Sequence, residues 1–153
     1  MNKLLIALVA TFAASFAWAA GDAAPPAGAA HGQMHGGRAT IPDVGVVKVP
    51  KAEGANGRTV AEVNTDRLAL RDKPVTIRAK VVKVTANVMG KNWVHLRDGS
   101  GSAAANSDDI LVTSREEPKI GDVVIAKGVV KTDVDLGSGY AYKVLVEDVS
   151  FQK

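Results

Sequence analysis

Trp93, His95 and Arg97 stand at alternate positions in GKNWVHLRDGSG, residues 90–101. Successive side chains of an extended strand point to opposite faces. These three would therefore share one face, with Val94 and Leu96 on the other. An aromatic ring, an imidazole and a guanidinium on one surface can stack on a planar group, hydrogen-bond to it and pair with an anion. Cations extend the pattern. Between Lys73 and Arg97 lie six of them (Lys73, Arg78, Lys80, Lys83, Lys91, Arg97) and no Asp or Glu. A basic groove that tracks phosphates beside an aromatic platform is the physical recipe for holding a single-stranded nucleic acid or a similar polyanion. In that reading Trp93 stacks, Arg97 and Lys80 meet phosphates, and His95 stacks or hydrogen-bonds. Arg78, Lys83 and Lys91 complete the candidate binding set. The opposing reading is a solvated outer surface with Trp93 covering a barrel end. It draws on the charge balance downstream, where Asp98 to Asp148 carries ten carboxylates against five Lys or Arg.

Other chemistries find little purchase. No cysteine is present, which removes thiol nucleophiles and disulfides alike. No paired-histidine or His-x-Glu spacing suggests zinc. The serines of DGSGS have no nucleophile elbow around them and read as a turn-rich loop. Asp98, Asp108 and Asp109 lack the ligand spacing of a calcium loop. His31, Met34 and His35 in HGQMH could catch copper, but a polar, glycine-rich tract supplies nothing to orient them. The expectation is a binding protein without catalysis, cofactor or metal.

The elements that would position these residues come late in the chain. Residues 1–19 have a cation at Lys3, an apolar run and a small-x-small end at Ala17–Ala19. They read as a secretory signal peptide that leaves no stable membrane anchor once cleaved, placing the mature protein in the periplasm or outside the cell. Residues 20–42 are rich in Ala, Gly and Pro and read as a flexible linker. Residues 43–71 read as an irregular segment with a short helix near Val60–Leu70, capped by Thr59. Residues 72–153 then read as strands at Val75–Val84, Asn92–Asp98, Asp109–Ser114, Val123–Asp133 and Tyr140–Ser150. The Val81-Val82 pair breaks the alternation and predicts a bulge, and Gly128 predicts a bend. Five strands with short turns and almost no helix predict an all-β, five-stranded Greek-key barrel of the OB type. Only REEPKIG stands where that fold often places a helix.

Two stretches, VTIRAKVVKVTANVMGKNWVHLRDGSG and IGDVVIAKGVVKTDVDLGSGYAYKVLVEDV, resemble the OB domain of small exported bacterial proteins described as nucleic-acid-binding-like. Those domains are similar to the anticodon-binding OB domains of aminoacyl-tRNA synthetases. The resemblance runs from about Val60 to Val149. It implies the barrel, and it implies function less directly, because one fold serves many ligands. A second resemblance, to stress-associated periplasmic OB proteins, implies a protein partner or small ligand in place of nucleic acid.

Overall fold

The computed structural model describes residues 40–153. The expected signal peptide, nearly all of the 20–42 linker and the His31, Met34 and His35 set lie outside the described residues. The described residues fall within one compact unit. Its elements are β1 (Gly57–Arg58), α1 (Val60–Thr65), α2 (Arg67–Leu70), β2 (Pro74–Val88), β3 (Lys91–Arg97), β4 (Ile110–Ser114), β5 (Val123–Asp135) and β6 (Ala141–Gln152).

Alternation drives β2. Val75, Ile77, Ala79 and Val81 are buried, and the residues between them point outward. The ladder slips between Val81 and Lys83, and Val81 and Val82 are both fully buried. That slip lets one strand serve two neighbours. The first half of β2 pairs with β5 and the second half with β3. The strand order is β1-β2-β3-β4-β6-β5, and β5 returns to β2, so β2 to β6 form a ring. The architecture is all-β and barrel-like.

Closure is thin at one seam. β4 and β6 run parallel and share a single paired position, Val112 with Val146. Side chains take over beyond it. Ser114 Oγ donates to the Val149 carbonyl at 2.5 Å, and the Phe151 N–H donates to Glu116 Oε2 at 3.0 Å. At Gly128 the β5 ladder slips again, and an added Cβ would lie 2.6 Å from Val149 Cγ2 and 2.7 Å from the Glu147 carbonyl oxygen. No larger residue fits there without moving β6.

Several boundaries differ from the sequence expectation. β2 continues through TANV to Val88, leaving only Met89-Gly90 as the hairpin turn. Both have positive φ, 54° and 73°, as a tight primed turn requires. The expected helix is two short ones, broken at Asp66. A sixth, two-residue strand, β1, pairs parallel with β2. Val60, Val63 and Leu70 from the helices join the barrel core, each contributing roughly 1.5–3 kcal/mol by burial.

Candidate ligand-binding face

The β2–β3–β4 register sets three rows on the outer face: Thr85, Trp93 and Thr113; Lys83, His95 and Leu111; Lys80 and Arg97. The intervening rows contain Val94 and Leu96, both fully buried. The alternation across this strand is as the sequence indicates. The exposure is not. A ring that stacks on a base must be open to solvent, yet Trp93 is only 4% exposed. Its ring centroid lies 5.6 Å from that of Tyr142 at a 34° tilt. Its indole N–H donates to the Val88 carbonyl at 2.9 Å. The long β2 brings Val88 to the indole, and the start of β6 brings Tyr142 over the ring. Burial pushes the Tyr142 phenol pKa above its ordinary value, with the neighbouring Tyr140 adding to the shift. The ring is committed within the protein and offers no open platform.

The polar residues of the row are committed as well. His95 Nδ1 lies 2.7 Å from Asp109 Oδ1. Arg97 Nε is 3.5 Å from Asp109 Oδ2, and its Nη2 is 3.6 Å from Asp108 Oδ2. All four side chains are less than a quarter exposed. The two carboxylates offset two of the three cations in these rows, Lys80, Lys83 and Arg97. Asp108 and Asp109 were weighed in the sequence only as calcium ligands. Their role follows from the β3–β4 register: Leu96 pairs with Ile110, so the next position brings Asp109 beside Arg97. Among the described residues no group of three or more His, Cys, Asp or Glu could hold a metal ion.

The remaining candidates are dispersed. Lys91 pairs with Asp148 at 3.3 Å. Lys80 Nζ donates to the Val44 carbonyl at 3.4 Å. Lys83 is half-buried and makes no ion pair among the described residues. Arg78 is exposed on the first half of β2, opposite Ile125 of β5. The bend at Val81-Val82 puts it on a different part of the barrel from Trp93. The run of six cations therefore wraps around the ring instead of lining one groove.

Asp98 is the residue the sequence undervalued. It is 4% exposed. Its Oδ2 accepts from the Val60 N–H at 2.9 Å, and its Oδ1 accepts from the Ser100 N–H at 2.9 Å and the Ser100 hydroxyl at 2.5 Å. Ser100 Oγ accepts from the Ala61 N–H at 2.9 Å. Thr59 and Glu62 add a capping box to the same helix start. The DGS turn thus ties α1 to the end of β3, satisfying N–H groups that a helix start leaves open. Asp98→Ala leaves the buried Val60 N–H unpaired and is expected to cost about 1–3 kcal/mol. Thermal unfolding checks this, and an unchanged Tm would show that the helix start does not depend on Asp98.

The Asp98 backbone carbonyl also receives the Val49 N–H at 2.9 Å. Residues 41–49 run along this edge outside any helix or strand and turn at Gly45, whose φ is 70° and whose N–H donates to Asp43 Oδ1 at 2.9 Å. Ile41, Val44 and Val47 are half-buried, while Val46 between them is 95% exposed. Gly99 sits beneath the segment at φ +88°, and a Cβ there would lie 2.1 Å from the Val47 carbonyl oxygen. The edge beside Arg97 is therefore shaped for the close approach of a backbone segment.

No family model matches this chain, and no curated protein or solved structure matches it.

Proposed function

We propose that the chain is an exported, non-catalytic OB-fold module that binds an extended peptide segment of a partner protein along the Lys80–Asp98–Gly99 edge. The ring order, with parallel β4 and β6 and a bent β2 shared between two neighbours, supports the OB assignment. In that fold the second and third barrel strands and the loops flanking them carry the ligand face; here those strands are β3 and β4. The observation that carries the reading is the chain's own segment 41–49, seated there through the Val44 carbonyl and the Val49 N–H. Backbone-mediated capture of an extended segment is a recurring mode of peptide recognition. A partner segment would have to displace this one. Trp93, His95 and Arg97 support the edge by fixing β3 against β4 and β6, and do not stack bases.

The test supplies the segment separately. Every buried apolar core residue lies at Ala52 or beyond, so a chain starting at Pro50 retains its core. A labelled peptide of residues 40–49 is expected to bind it saturably in fluorescence polarisation. Gly99→Ala, whose methyl would strike the Val47 carbonyl, is expected to weaken that binding at least about tenfold, the scale of one lost close contact. Failure of the peptide to bind would overturn the reading. Tight, steeply salt-dependent binding of a short oligonucleotide at the Trp93 row would replace it with the nucleic-acid reading.

A further inference from the structure

Cations with no acidic partner gather on a different side of the barrel from the Trp93 row. The β2–β5 register sets Thr76 opposite Lys127, Arg78 opposite Ile125 and Lys80 opposite Val123. These alternate with the buried Val75, Ile77, Ala79, Val124 and Ala126, so all six point outward. β6 continues the rows with uncharged Ser150 and Gln152. Arg78 and Lys127 are exposed and make no ion pair among the described residues. None of these eight positions is acidic. Of the carboxylates at the neighbouring edge, Asp122 pairs with Lys153 at 2.9 Å and Glu116 accepts the Phe151 N–H at 3.0 Å, while Glu117 is exposed in the linker that also holds Lys119. The end of the face at the start of β5 is apolar. Val123 is 42% exposed, and Ile120, in the linker leading to β5, is 53% exposed.

We infer that this β2–β5–β6 face docks the domain on an anionic lipid bilayer, with Arg78 and Lys127 at the headgroups and Val123 and Ile120 entering the acyl boundary. Charge complementarity selects a negative partner. The side chains then choose among negative partners. A nucleic acid rewards aromatic platforms, and this face has none. An interface with lipid rewards exposed aliphatic groups flanked by cations. The inference does not depend on the peptide reading, because the two surfaces share only Lys80.

Flotation with vesicles tests it, using residues 40–153, which hold every described element; the apolar run in residues 1–19 would bind lipid by itself. Vesicles containing phosphatidylglycerol are expected to retain the protein, and pure phosphatidylcholine vesicles are not. Each cation near such a surface contributes about a fivefold factor, so Arg78→Gln with Lys127→Gln should weaken retention about 25-fold. Ile120→Ser with Val123→Ser should weaken it as well, while Lys83→Gln, on the other face, should leave it unchanged. All of these positions are at least partly exposed, and circular dichroism confirms that each variant is folded. No retention on the anionic vesicles would overturn the inference. So would retention that is indifferent to the Ile120 and Val123 changes, or an oligonucleotide that binds this face more tightly than the vesicles do; either result makes it a polyanion surface instead.

Discussion

Replacing Trp93 by alanine is expected to destabilise the domain by about 3–5 kcal/mol, the range for truncating a buried aromatic. Three losses combine. The indole leaves a cavity on a face where Thr113 is already only 1% exposed. Its contact with Tyr142 disappears, and such ring pairs contribute about 0.5–1.5 kcal/mol beyond their area. The Val88 carbonyl loses its donor at the end of β2. Trp93→Phe keeps most of the ring and should cost less than half as much. Denaturant unfolding of both variants measures the difference. A loss under about 1 kcal/mol for the alanine variant would place the ring at the surface, outside the expected range.

Leu96→Ala is expected to cost about 2–5 kcal/mol by the same measurement. Leu96 is fully buried within the main core cluster, between Val81 on β2 and Ile110 on β4. Its neighbour Arg97 tests the register from the other side. A one-residue slip of β3 would turn Leu96 outward and bury a guanidinium away from Asp108 and Asp109. Arg97→Leu is therefore expected to cost far less than Leu96→Ala. Equal costs would mean that the assignment of faces on β3 is wrong.

These two residues also show what could be read in the sequence. Alternation identifies which of Trp93, Val94, His95, Leu96 and Arg97 share a face, because strand geometry alone decides it. It says nothing of what packs onto the outer side. Tyr142 is 49 residues from Trp93 in the chain, and only the ring closure that runs through β6 brings them together. The Val81-Val82 bulge could be read as a break in pattern, but its effect, separating Arg78 from Lys83 in space, depends on β2 pairing with β5 on one half and β3 on the other. Asp98 has the look of any loop aspartate in DGSG. Its value comes from Val60 and Ala61 of a helix nearly 40 residues earlier. Segment 41–49 has four valines around a single proline and a single glycine, a pattern that takes on meaning only once Gly99 lies beneath it.

The most direct measurement uses Trp93 as its own reporter. The chain has two tryptophans, Trp18 and Trp93, so residues 40–153 carry Trp93 alone. A ring that is buried, bonded to Val88 and covered by Tyr142 should emit at short wavelength, resist quenching by acrylamide and remain unchanged as a short oligonucleotide is added at low salt. Long-wavelength emission that acrylamide quenches freely, and that the oligonucleotide quenches saturably, would show an open stacking platform and contradict the account.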